Sequence, residues 1–97
     1  MHMKIKTKSG FVCDVSVERA QDWRFTKLLA KWSKDENGFV AMADALNYLL
    51  GDDGESALME HVKDEKGNVP AASMISEFQE IMNLLGDKVK KSGHSQA

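Results

Sequence analysis

Little in this chain of 97 residues points directly to chemistry. It has one cysteine, Cys13, so no disulfide can form within it and a disulfide-stapled fold is excluded. A lone thiol fits a reducing cytosol. No apolar run approaches the roughly 20 residues that span a bilayer, so no membrane association is expected. No apolar N-terminal stretch leads to a small-residue cleavage site, so no secretory signal is expected. Gly51 and Gly54 lack the Lys-Ser/Thr pair that completes a phosphate-binding loop. Cys13 and His61 are too few for a metal cluster unless carboxylates join them from elsewhere in the chain. These absences predict neither a cofactor nor enzyme activity.

What is present is an ordinary globular composition, 42% hydrophobic and 29% charged, long enough for one small domain. The net charge is −2, but it is unevenly spread. Lys4, Lys6 and Lys8 make the first ten residues basic, and Lys88, Lys90 and Lys91 outweigh Asp87 at the other end. Between them, residues 11–85 hold seven basic and fourteen acidic residues. Nucleic-acid binding needs a basic face that displaces counterions from phosphates. An acidic body suits a basic or mixed protein partner instead, and nucleic acid is not expected.

The folded domain is expected over 4–86. Met1-His2-Met3 reads as a vector-derived cloning scar, with Met3 the natural start. Residues 87–97 hold one sizeable apolar side chain, Val89, too little to offset the entropy of ordering them. A mobile tail is expected there, with His94 inert.

Hydrophobic periodicity predicts a mainly α, α+β fold: an N-terminal two-stranded β-hairpin packed on about four α-helices. Ile5, Thr7, Phe11, Cys13 and Val15 occupy odd positions, while Lys4, Lys6, Lys8 and Asp14 occupy even ones. Period two puts the apolar set on one face of a strand pair, with Ser9-Gly10 as the turn. Ser16 is a helix N-cap candidate with an incomplete capping box, since Arg19 stands where Glu would complete it. Phe25, Leu28, Leu29 and Trp32 then fall at i, i+3, i+4 and i+7, one helical stripe. Asp35–Gly38 breaks it. A helix over 39–50 carries Phe39, Met42, Leu46, Leu49 and Leu50, and the break at 51–54 offers Gly51 as its C-terminal stop and Asp53 as the next N-cap. A helix over 55–63 buries Leu58, Met59 and Val62. After a loop at 64–68, Pro70 introduces the longest helix, with Ile75, Phe78, Ile81, Met82 and Leu85 on its stripe and Gly86 as its end.

Several motifs imitate chemistry. The stretch Ser33–Asp44 has an EF-hand's Gly at position 6 but Ser at position 1 and Asp at position 12. Anchoring Gly67 likewise puts Val62 and Ser73 at the ligand positions. Both read as turns whose acids cap helices, and no calcium site is expected. Cys13 lies on the apolar face of the hairpin, where a thiol acts as a small hydrophobe rather than as a nucleophile for His61. Trp32, Met42 and Met82 fall on core stripes. The alternative for the methionines Met42, Met59, Met74 and Met82 is a groove for a partner helix, since Met repacks around varied shapes. Trp23 and Tyr48 fall off the stripes and are candidate interaction residues, because aromatics concentrate binding energy at interfaces.

The order of motifs resembles a family of small proteins from siphophage and prophage tail modules. The opening Lys4-Ile5-Lys6-Thr7-Lys8-Ser9-Gly10-Phe11-Val12-Cys13-Asp14-Val15 is similar to their strand, SGF turn and strand. Asp22-Trp23-Arg24-Phe25-Thr26-Lys27-Leu28-Leu29 follows, then Leu49-Leu50-Gly51, and His61 to Pro70 is similar to their His-Lys-Asp-Glu-Gly-Val segment. The resemblance covers about residues 4–91. It implies a tail assembly chaperone of the host bacterial cytoplasm, with no catalytic residues. Such a protein keeps the helical, apolar tape-measure protein soluble, recruits tail-tube subunits to it, and is usually absent from the finished particle. The second reading is a phage accessory protein that binds a host factor. Homo-oligomer formation stays open on the sequence.

Overall fold

A computed structural model describes residues 1–34 and 38–93. Two strands, β1 (His2–Lys6) and β2 (Val12–Ser16), form an antiparallel hairpin in which Ile5 pairs with Cys13 and Met3 with Val15. Gly10, at φ 98°, lets the chain reverse: its N–H donates to the Thr7 carbonyl at 3.0 Å, and Thr7 N–H donates to the Phe11 carbonyl at 2.9 Å. This is a type I turn closed by a glycine bulge. The odd-numbered set faces inward as its period requires. Ile5, Thr7, Phe11 and Val15 are buried and Cys13 is half-buried. Met1–Met3, read from the sequence as a scar, does not stand apart from the fold. His2 and Met3 pair in β1, because Met3 continues the same inward alternation.

Four helices follow: α1 (Val17–Ala20), α2 (Trp23–Lys34), α3 (Gly38–Val62) and α4 (Ala71–Gly93). Ser16 caps α1 by accepting from Arg19 N–H at 3.2 Å. Asp22 then accepts the Arg24 N–H at 2.8 Å, so the chain restarts as α2 instead of running on from α1. The expected break at Gly51 is a kink within α3. Gly51 takes φ 77° and ψ 172°, a region open essentially to glycine alone. Asp35, Glu36 and Asn37, which are part of the EF-hand imitation and most of the expected break there, lie outside the described residues. Among the described residues, no helix is long and apolar enough to cross a membrane.

One core joins hairpin and helices. Phe25, Leu46, Leu58, Phe78 and Ile81 are almost wholly enclosed with Ile5 and Val15. The rings of Trp32 and Phe78 lie 5.8 Å apart and link α2 to α4, while Phe25 stacks on Tyr48 at 6.3 Å and links α2 to α3. Two stripe assignments need correction. Phe39 is 62% exposed and Met59 40% exposed. Phe39 shares a face with Met42 and Leu46 but sits one turn beyond the covered part of α3. Met59 is rotated a step away from the inward-facing Leu58.

Gly86 does not end α4. Its φ is not positive, and the helix continues to Gly93. Leu85 is the last buried side chain among the described residues. Lys88, Lys90 and Lys91 belong to the C-terminal part of α4. The expected mobile tail therefore overlaps a helix as far as Gly93, and residues 94–97, with His94, lie outside the described residues.

The glycines separate cleanly by substitution. Gly51→Ala should cost on the order of 1–3 kcal/mol through backbone strain. Gly54→Ala should also destabilise, because its Cβ would meet Leu50 Cβ at 2.8 Å. Gly86 faces open space, so Gly86→Ala should stabilise the helix by about 0.5–1 kcal/mol. Phe78→Ala should cost about 3–5 kcal/mol while the exposed Trp23→Ala stays within about 0.5 kcal/mol. Urea melts of the five variants check the order.

Candidate functional site

Three places gather polar or apolar side chains in a way that could act on another molecule. The first lies where the hairpin turn meets α4. Glu77 is 9% exposed, yet it is a carboxylate. Thr7 Oγ1 donates to its Oε1 and Ser9 Oγ to its Oε2, both at 2.8 Å. One turn further along α4, Glu80 Oε2 accepts the Lys8 N–H at 2.7 Å. Three successive turn residues are thus held by two carboxylates of one helix, at the spacing that puts i and i+3 on one face.

His61, in the last turn of α3, places Nε2 3.0 Å from Ser9 Oγ and its ring 5.5 Å from that of Phe11. Ser9, His61 and Glu77 border a shallow cavity of about 370 Å³. The three residue types are those of a hydrolytic triad, but the connections differ. In a triad the carboxylate orients the histidine and the histidine takes the serine proton. Here both partners reach the same hydroxyl. Ser9 has one proton and gives it to Glu77, so its bond with His61 needs the proton on Nε2. That arrangement holds the turn in place and does not activate the serine.

Asp64, in the loop after α3, is likewise occupied. Its Oδ1 accepts the N–H groups of Lys66 at 2.9 Å and Asn68 at 3.0 Å, while Gly67 turns the chain at φ 87°. Among the described residues, no three His, Cys, Asp or Glu side chains converge as a metal site would require. Burial, reinforced by the charge of Asp14, pushes the Cys13 thiol up to about 11, so it stays protonated at neutral pH.

The second place holds Tyr48, one of the two interaction candidates. A wide polar dish of about 600 Å³ is bordered by Arg19, Asp22, Arg24 and Tyr48. Arg19 and Arg24 flank the Tyr48 ring at 5.7 and 5.6 Å, and Arg19 Nη1 donates to the Tyr48 carbonyl at 3.1 Å. Arg24 forks onto Asp22, with Nε at 3.0 Å and Nη2 at 2.9 Å, which holds the Asp22 carboxyl well below its ordinary range. The dish's groups thus largely satisfy one another. Trp23, the other candidate, does not border it; it stands on the surface at 72% exposure.

The third place was legible only as an alternative for the methionines. α3 and the start of α4 enclose an apolar groove of about 370 Å³ whose walls include Met42, Met59 and Met74 with Phe39, Leu46 and Val69. Glu55 is the sole ionisable wall residue among the described residues, and it accepts from Asn47 Nδ2 at 2.8 Å. Phe39, Val40 and Met59 are among the few large hydrophobic side chains left exposed. Phe39 and Met59 are the same two residues that depart from their expected burial, and both border this groove. The groove can receive apolar side chains and offers nothing for bond-making chemistry.

No family model matches the chain, and no curated protein or solved structure matches it significantly.

Two outcomes check this geometry. Glu77→Ala removes the acceptor from two hydroxyls and should cost about 1–3 kcal/mol, with amide exchange at Lys8–Phe11 rising more than in α2. Cys13 should resist iodoacetamide at pH 8 in the folded protein and react readily in denaturant. Fast alkylation of the folded chain would contradict its protonated, half-buried state.

Proposed function

We propose that this chain is a non-enzymatic binding module, a tail assembly chaperone-like protein that holds apolar helical segments of a tape-measure protein. The observation that carries the reading is the methionine-lined groove between α3 and α4. Flexible, polarisable Met side chains adapt to varied apolar partners, as a chaperone of a long helical protein requires. The order of sequence motifs over residues 4–91 supplies the partner class. Ser9, with its proton committed to Glu77, supports the non-enzymatic side of the reading. Recruitment of tail-tube subunits and a host-cytoplasmic setting belong to the same proposal.

Binding would bury apolar surface without phosphate contacts. Affinity for a tape-measure segment should therefore carry a negative heat-capacity change. Co-expression with a candidate tape-measure protein should keep that protein soluble, and the two should co-purify. If tape-measure aggregation stays unchanged across mixing ratios and the gene can be deleted without loss of tails, the chaperone reading falls and a host-directed accessory role replaces it.

A further inference from the structure

The charge pattern around the groove narrows what can fill it. α3, residues 38–62, which supplies most of the groove wall, contains five Asp and Glu residues and no Lys or Arg. The segment 23–34, which is α2, is the opposite: four Lys and Arg and no acid. A helix that carries acids and no Lys or Arg creates a negative potential along an apolar trough, and Glu55 stands in its wall. Such a trough favours a partner that brings apolar side chains on one face and positive charge beside them.

We infer that the groove takes an amphipathic helix with basic flanks, its apolar residues seated against Phe39, Met42, Met59 and Met74 and its Lys or Arg residues facing the acids of α3. The inference rests on the binding-module reading above and adds the chemistry of the occupant. A second copy of this chain is a poor occupant. A twofold contact through the groove would set two copies of the acid-bearing α3 against each other. The basic amphipathic helix α2 already spends its apolar stripe on its own fold, with Phe25 in the core and Leu28, Leu29 and Trp32 packed against it.

The test uses two synthetic helical peptides with the same leucine pattern, one flanked by Lys and one by Glu, titrated into the full chain by fluorescence anisotropy. The Lys-flanked peptide should bind about tenfold or more tighter at low ionic strength, and the gap should narrow as salt rises. Met59→Lys alters a residue already 40% exposed, so the fold should persist, and it should weaken the Lys-flanked peptide by about tenfold while sparing the Glu-flanked one. Trp23→Ala, away from the groove, should change neither. Equal affinity for the two peptides, binding of neither, or indifference to Met59→Lys overturns the inference. So does sedimentation of the chain alone as a dimer that Met59→Lys dissociates. The outcome separates from the function reading. Preferential binding of the Lys-flanked peptide without tape-measure rescue sinks the chaperone role alone. Rescue that survives Met59→Lys sinks the groove assignment alone.

Discussion

The carboxylate of Glu77 is the constraint around which the structure is arranged. It is nearly buried, carries no cationic partner among the described residues, and is held by two hydroxyls from a turn 70 and 68 residues earlier in the chain. Burying a charge is costly unless hydrogen bonds replace its water. Thr7 and Ser9 supply those bonds only when the hairpin lies in one place on α4. The hairpin, marginal alone, is thereby fixed with Ile5, Phe11 and Val15 on the helical core. Glu80 and His61 hold the flanks of the same turn. Polar residues that look like a reactive centre are in this fold a positional lock.

Fixing the hairpin on one side of α3 and α4 determines what remains open on the other. The core-facing arc of α3, through Ala45, Leu49 and Leu58, is closed by α2, the hairpin and α4. The neighbouring arc, with Phe39, Ala43 and Met59, is left uncovered. The kink at Gly51 lies between the two halves of α3 that supply Met42 and Met59 to one groove. Gly54 permits the close approach to Leu50 that this bend involves. Apolar exposure, methionine content and negative charge coincide there, which is why the proposed function is placed in the groove and not in the polar dish beside Tyr48.

Much of the fold was legible because it follows local periodicity. The alternation at Ile5, Thr7, Phe11, Cys13 and Val15 and the stripes through Phe25 and Phe78 depend only on strand and helix geometry. Gly10 marked a chain reversal and Gly51 a helix break, both at backbone angles that only glycine adopts easily. The misses were tertiary or were misread punctuation. Gly86 looked like a stop, but a glycine is a stop only when it turns left-handed, and this one does not. Phe39 and Met59 carried the periodicity of core residues, yet burial depends on a covering element that sequence spacing cannot reveal. The Glu77 clamp was invisible for the same reason: its partners are far away in the chain, and a Glu on a helix ordinarily points to solvent. The Met groove left a trace, since four methionines near helix faces suggested it, but which three would share a wall depended on how α3 bends.

The central claim is that the groove of Met42, Met59 and Met74 is the surface through which this protein acts. Methyl NMR of methionine-labelled protein, with and without a helical segment of the tape-measure protein, tests it most directly. The account predicts that the Met42, Met59 and Met74 methyl signals shift on binding while those of Met3 and Met82 stay in place. Shifts confined to Met82, or to signals around Trp23 and Tyr48 with the three groove methionines unmoved, would contradict it.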